Sequence, residues 1–156
     1  MFTNYRSPLG NLVITFNENK ILAIKKSHLR KNTDKKTDVV KDLTTQLDRY
    51  FDGDLDALFK VPLKNLQLSG TEFQKNVWKV LKKIKPTQTL TYSEIALKLN
   101  TPKAYRAVGS AVGKNPFFIL LPCHRVLGQN KKLCGFAYGI DVKKTLLRHE
   151  NLEFIA

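Results

Sequence analysis

The sequence predicts an α+β fold: a small N-terminal lobe of antiparallel sheet plus helix over residues 1–68, followed by a mainly helical domain over 69–156. Three observations predict it. Near the N-terminus apolar and polar residues alternate in two successive runs, the period of half-buried strands. From about residue 70 the apolar spacing changes to three and four, as on the buried face of a helix. The charge is also divided unevenly: residues 1–69 carry 12 basic and 8 acidic side chains, residues 70–156 carry 15 and 5.

In the first lobe, YRSPLGNLVITFNENKILAIKK alternates on both sides of Asn17-Glu18-Asn19-Lys20, a turn-forming cluster, and reads as a β-hairpin. The lysine-rich HLRKNTDKKTD that follows reads as an exposed loop. In VVKDLTTQLDRYF, Val39, Leu43, Leu47 and Tyr50 or Phe51 recur at helical spacing. LFKVPLK, Leu58–Lys64, reads as another short strand, with Pro62 placing it at an edge. The lobe shows no chemistry, and His28 has no cysteine near it in sequence to make a zinc site.

The helical part opens on Thr71-x-x-Gln74, a capping box in which each side chain satisfies the other residue's free backbone N–H. Phe73, Val77, Leu81 and Ile84 then share a face, Lys75, Lys79 and Lys82 form a stripe on another, and Pro86 is the expected stop. Thr91-x-x-Glu94 is a second capping box, followed by Ile95, Ala96 and Leu99. Asn100-Thr101-Pro102 breaks the chain, with Thr101 as cap and Pro102 at the first position of a helix over about 102–112. That helix turns Ala104, Val108 and Ala111 inward and Lys103, Arg106 and Ser110 outward. Two short helices across a tight turn, the second basic outward, form the helix-turn-helix pattern, expected here within a winged helix-turn-helix-like DNA-binding unit. Gly109 and small neighbours suit a shallow or minor-groove contact with Arg106 as the long probe.

A chain of 156 residues with 27 Lys and Arg against 13 Asp and Glu, net +14, favours a polyanionic partner, of which nucleic acid is the commonest. MFTNYRSPLG has no apolar export segment, and the longest apolar run, Phe117–Leu121, is far short of a membrane span. Two cysteines without an export signal point to free thiols in a reducing compartment. The expected location is therefore the cytoplasm, or the nucleus in a eukaryote, away from membranes.

Both cysteines lie in LPCHRVLGQNKKLC, Leu121–Cys134. A zinc site needs three or four ligands; Cys123, His124 and Cys134 are the nearby candidates, only His28 and His149 are left beyond them, and no C-x-x-C is present, so zinc is not expected. A disulfide between Cys123 and Cys134 runs against the compartment. A buried structural cysteine is the plain reading. The context argues for more: the strand Phe117–Leu121 is expected to end at Pro122, leaving Cys123 beside His124 and Arg125. A neighbouring imidazole and cation favour thiolate, the form in which cysteine is a nucleophile. On spacing alone, a Cys-His hydrolase remains open.

Pro122-Cys123-His124-Arg125-Val126 resembles the active-site signature of the O6-alkylguanine-DNA alkyltransferases. TEFQKNVW (71–78) is similar to that family's opening helix, and Thr91-Tyr92 through Ile95-Ala96 to its first DNA-binding helix. Pro102-Lys103-Ala104 with Arg106-Ala107-Val108-Gly109 resembles its recognition helix. Asn115-Pro116 and the run Lys143, Leu146-Leu147, Glu150 complete the pattern in order over residues 70–150. The first lobe matches only in general type.

The resemblance implies direct-reversal DNA repair. An alkyl group on O6 of guanine, with O4 of thymine as a further donor, passes irreversibly to Cys123 after the base is flipped out. It implies that His124 assists deprotonation, Glu150 orients His124, Tyr92 donates to the flipped base and Asn115 holds the active-site turn. It places Lys103, Tyr105, Arg106, Ala107, Gly109, Ser110 and Arg125 at the DNA, with Arg106 filling the vacated space. Phe136, Ala137 and Tyr138 are placed around the base. No cofactor or metal is implied, the partner is double-stranded DNA bearing O6-alkylguanine, and the expected state is a monomer. Adjacent side chains in extended backbone point apart, so His124 is expected to reach the thiol through a bridging water. Three positions depart from the family pattern. Tyr105 stands where a small residue is usual, Phe136 lacks the usual tyrosine hydroxyl, and Tyr138 replaces glycine and should narrow the alkyl pocket.

Overall fold

Three strands open the chain: β1 (Phe2–Ser7), β2 (Gly10–Phe16) and β3 (Ile21–Lys26), an antiparallel meander in that order. The computed structural model describes all 156 residues and divides into two units: Met1–Leu68 with Pro116–Leu120, and Ser69–Asn115 with Leu121–Ala156. In the first, the register sets Tyr5 opposite Leu12, Thr3 opposite Ile14, and Ile14 opposite Ile24. One face of the sheet is therefore apolar, and Leu12, Ile14 and Phe16 are fully buried. Helix α1 (Asp38–Phe51) meets that face at Tyr5. Tyr5 donates a 2.7 Å hydrogen bond to Asp48, and its ring stacks on Phe51 at 6.5 Å. The buried stripe of α1 starts at Val40, not Val39, and runs through Leu43, Leu47 and Tyr50.

Two expected strands do not form. Leu58–Lys64 is a chain of turns ending in the single 3-10 turn Leu63–Asn65. Pro62 has no N–H to give a ladder, and pairing with β3 begins only beyond it, where Gln67 donates to the Ile21 carbonyl. Phe117–Leu121 makes one parallel bridge, Ile24 to Phe117, and then turns through Ile119, whose φ is +67°. The reason is where its apolar surface goes. Ile24 donates to the Pro116 carbonyl and accepts from the Phe118 N–H, and both phenylalanines are fully buried. Residues 116–120, expected inside a continuous C-terminal domain, thus belong to the first unit.

The second unit is helical: α2 (Glu72–Lys82), α3 (Tyr92–Lys98), α4 (Tyr105–Gly113) and α5 (Ile140–His149). Both capping boxes form with all four hydrogen bonds, between Thr71 and Gln74 and between Thr91 and Glu94. Helix α2 ends at Lys82, ahead of Pro86, and of its lysine stripe Lys79 is exposed while Lys75 and Lys82 are half-buried. Trp78 of α2 donates its indole N–H to the Ala111 carbonyl of α4 at 2.9 Å. Helix α3 closes in a Schellman motif: Asn100 is left-handed at φ +57°, with Asn100 N–H on Leu97 O and Thr101 N–H on Ala96 O. The chain then makes a separate turn, Thr101 O to Ala104 N–H, so α4 begins at Tyr105 and not at Pro102. The only strands here are β4 (Leu90–Thr91) and β5 (Val126–Leu127), a parallel two-residue ladder.

A Cβ added at Gly70 would stand 2.7 Å from the Trp78 ring, which is itself 2% exposed and cannot swing away. Gly70→Ala is expected to cost about 1–3 kcal/mol, the usual range for overpacking. Urea unfolding checks it; an unchanged midpoint contradicts the packing.

Candidate active site

The β4–β5 ladder explains how two distant stretches of sequence share one pocket. Tyr92 directly follows β4, and the 3-10 turn Cys123–Arg125 directly precedes β5. Parallel pairing of Leu90 with Val126 therefore sets Tyr92 and Cys123 at the same pocket. Both line a cavity of about 50 Å³, together with Gly109, Asn115, Phe136 and Tyr138. That is small beside the ~300–1,000 Å³ of common ligand pockets. Phe136 and Tyr138 meet edge to face at 6.1 Å on its wall.

Cys123 is not at the end of a strand as expected. Its N–H bonds the Leu121 carbonyl at 2.7 Å, and the next residues wind into the 3-10 turn. In such a turn neighbouring side chains still diverge, by about a third of a revolution per residue. His124 accordingly faces away, with its Nε2 2.7 Å from Glu150. Its Nδ1 is buried and has no hydrogen-bond partner in the protein.

Glu150 is the C-cap of α5 and is 3% exposed. Its position is fixed by a second Schellman motif: Asn151 at φ +57° places its N–H on Arg148 O, and Leu152 N–H reaches Leu147 O. One carboxylate oxygen meets His124 and the other accepts from Arg125 Nε at 2.5 Å. Arg125 also donates through Nη1 to the Ile84 carbonyl at 2.8 Å and is 4% exposed. The resemblance puts Arg125 at the DNA; the structure instead consumes it in holding Glu150, because a buried carboxylate requires a paired cation.

Protonation follows from these contacts. Burial alone would raise the Glu150 carboxyl, but the charge and hydrogen bonds of His124 and Arg125 outweigh it and hold it well below the usual range. Burial pushes the His124 imidazolium down, more than Glu150 pulls it up. The two directions compete, since a neutral His124 brings no charge to Glu150. Burial of the ring favours the neutral imidazole, and its Nε2–H hydrogen bond, together with the Arg125 guanidinium, then keeps Glu150 ionised. Nδ1 is then the free base. Burial raises the Cys123 thiol, opposed by a hydrogen bond from Asn115, the charge of Lys143 and nearby backbone N–H groups. Asn115 also donates to the Leu121 carbonyl at 2.8 Å, bracing the turn. Burial, with Cys134 and Cys123 nearby, pushes the Tyr92 hydroxyl up to about 12, so it stays a donor.

The other expected residues divide in two. Gly109, Phe136, Ala137 and Tyr138 line the cavity. Lys103, Tyr105, Arg106, Ala107 and Ser110 are exposed on or just before α4. The Arg106 guanidinium lies 5.9 Å from the Tyr105 ring, within cation–π range. Gly109 is not on that outer face: its nearest contact is the Tyr92 ring, and a Cβ there would sit at an ordinary 3.7 Å. The functional side chain that sequence reasoning left without a role is Lys143. It is fully buried in α5, donates to the Val126 carbonyl at 2.7 Å and stands 5.7 Å from the Phe136 ring centroid. Its burial against the Val126 carbonyl is not readable in the sequence, where Lys143 stands only as one residue of the family pattern. No three His, Cys, Asp or Glu side chains converge to hold a metal ion.

Comparison with known proteins gives two matches to family models. The 6-O-methylguanine DNA methyltransferase DNA-binding domain matches residues 72–152, and that family's ribonuclease-like domain matches residues 1–65. A methylated-DNA–protein-cysteine methyltransferase of Haemophilus influenzae is 38% identical over 99% of this chain and 88% of its own length. One from Methanosarcina acetivorans is 40% identical over 94% and 95%. The crystal structure of Mycobacterium tuberculosis OGT in complex with DNA superposes with a TM-score of 0.81 at 35% identity, covering 96% of this chain and 91% of that one.

Two outcomes test the site. Glu150→Ala leaves Arg125 buried and unpaired and is expected to cost about 3–5 kcal/mol in urea unfolding. Because the native Glu150 pKa is depressed, its contribution is full above the ordinary carboxylate pKa of about 4.3 and is lost as pH falls below it. The variant should lack that acid-side loss. Lys143→Met removes a charge that favours the thiolate, so alkylation of Cys123 by iodoacetamide, followed by peptide mass, should shift to higher pH. A lowered melting temperature with an unshifted pH profile would show that Lys143 only packs.

Proposed function

The chain belongs to the 6-O-methylguanine DNA methyltransferase family, and we propose that it repairs DNA by transferring a methyl or other small alkyl group from O6 of guanine to Cys123. The observation that carries this is the convergence of Cys123, Tyr92 and Asn115 on one small pocket backed by the His124–Glu150–Arg125 chain. A pocket with a thiol in its wall cannot reach a stacked base, so the alkylated nucleotide must leave the duplex. α4 supplies the exposed face for that step, with Arg106 filling the space and Lys103, Tyr105, Ala107 and Ser110 against the backbone and groove.

The thiol proton passes through a bridging water to His124 Nδ1, while Nε2 stays on Glu150. Sγ attacks the alkyl carbon in line with the C–O6 bond, the S–C bond forms as C–O6 breaks, and the electron pair goes to the base. Tyr92 donates a hydrogen bond that stabilises the departing guanine. The thioether has no reductive exit, unlike a disulfide, so each molecule acts once. No step calls for a cofactor or metal. The protein acts as a monomer, with residues 1–68 as a supporting lobe. No helix is long and apolar enough to cross a membrane, and the place of action is where its DNA lies, the cytoplasm or a eukaryotic nucleus.

A duplex carrying O6-methylguanine in excess over protein tests the reading. One equivalent of methyl should appear on the Cys123 peptide, and Cys123→Ala should bind the duplex without transfer. Methyl on Cys134, continued turnover, or an acyl-enzyme burst with esters would contradict it. The small cavity and its Phe136–Tyr138 wall add a second outcome. Benzyl transfer should be slow in the natural protein and accelerated in Tyr138→Gly; equal rates would remove Tyr138 as the limit on alkyl size.

A further inference from the structure

The excess charge of the first lobe is confined to one short stretch. Lys25–Lys36 holds six Lys and Arg against the single carboxylate of Asp34, whereas the rest of residues 1–69 holds six against seven. Without those twelve residues the lobe would be slightly acidic.

The stretch is fastened to the sheet. Leaving β3, Ser27 N–H bonds the Asn11 carbonyl at 3.0 Å, and the Asn11 side chain donates to Ser27 O at 3.2 Å. Asn4 then grips Arg30 from both sides, donating to its carbonyl at 2.7 Å and accepting its N–H at 3.1 Å. The Arg30 guanidinium lies 4.6 Å over the Phe2 ring. Asp34 exchanges hydrogen bonds with the Phe2 backbone, each 2.9 Å. The register places Phe2, Asn4, Asn11, Val13, Thr15, Ala23 and Lys25 on the face opposite the core. Ser27–Arg30 therefore crosses back over the outer face of the sheet. Val13, Thr15 and Ala23 floor a groove there, with Lys25, Lys26 and Arg30 on its walls.

Two features separate this strap from an ordinary solvated lysine loop. Its only carboxylate is spent on a backbone N–H, and none of its six cations is in an ion pair; the four pairs in the molecule lie elsewhere. Its backbone is also held in place by side-chain amides, which lowers the ordering cost of binding. An ordered row of unneutralised cations beside a groove fits a chain of phosphates.

We propose that the strap Lys25–Lys36 is a second, sequence-independent contact for the phosphate backbone of duplex DNA, carried by the first lobe and separate from the face of α4. It reads neither base nor lesion and adds affinity and salt dependence to all duplex DNA. The proposal goes beyond the alkyl-transfer reading and does not depend on it, since unmodified duplex is the probe.

The test uses the full chain with Lys25→Gln/Lys31→Gln/Lys35→Gln, which leaves the Asn4–Arg30 and Phe2–Asp34 fastenings intact. Binding to an unmodified duplex several helical turns long is measured as a function of salt. Lys60→Gln/Lys64→Gln, in the same lobe but outside the strap, is the control for general charge. The triple variant should bind more weakly on methylated and unmodified duplex alike, with a salt slope shallower by about 0.9 for each phosphate that is no longer neutralised. Its melting temperature and its transfer rate at saturating methylated duplex should match the natural protein. An unchanged slope, or an equal change in the control, overturns the strap as a DNA contact. Arg106→Ala run beside them separates the two readings: loss of binding there with none in the triple variant defeats the strap and leaves the α4 reading standing.

Discussion

Glu150 has two carboxylate oxygens and almost no exposure, and both oxygens are committed, one to His124 and one to Arg125. Most of the geometry around Cys123 depends on that. Arg125 brings the charge that lets the carboxylate stay ionised in the interior, and spans to the Ile84 carbonyl just beyond α2. His124 is turned so that one ring nitrogen is held and the other is open. The Schellman motif at Asn151 fixes where the carboxylate stands. Removal of any one of these partners would leave a buried polar or charged group unsatisfied, which costs more than the interaction itself contributes.

The same burial creates the chemical problem that the site must solve. A nucleophile needs thiolate, and burial disfavours it. Asn115, Lys143 and the local N–H groups oppose burial, yet the net direction for Cys123 remains upward. The resting thiol is therefore protonated and poorly reactive toward adventitious electrophiles. In the proposed reaction, a bound substrate with His124 as the base to take the proton releases its reactivity. With the proposed single use of each molecule, a quiet resting nucleophile avoids waste.

What the sequence displays directly is local. The two capping boxes are visible because donor and acceptor sit three residues apart, and both form as expected. Cys123, His124, Tyr92, Asn115 and Glu150 are legible through a motif. What stays hidden depends on tertiary partners. Arg125 reads as a DNA contact until Glu150, distant in sequence, is placed against it. Lys143 belongs to the family pattern but has no role until the fold buries it against the Val126 carbonyl. Phe117–Leu121 has the composition of a buried strand, and period alone cannot distinguish that from a buried turn. Pro102 carries a helix-start signal that the preceding Schellman turn at Asn100 overrides. The loop His28–Asp38 reads as merely exposed, because the side chains of Asn4 and Asn11 that order it belong to other strands.

Everything at the site turns on an ionised Glu150, balanced by Arg125, that holds a neutral His124 by Nε2 and leaves Nδ1 as the base. Nitrogen-15 NMR of the imidazole reads that tautomer directly. A protonated Nε2 and an unprotonated Nδ1 are expected in the free protein at and above the ordinary histidine pKa of about 6.5, because burial lowers the His124 imidazolium. An imidazolium over that range, or the tautomer with the proton on Nδ1, would contradict it.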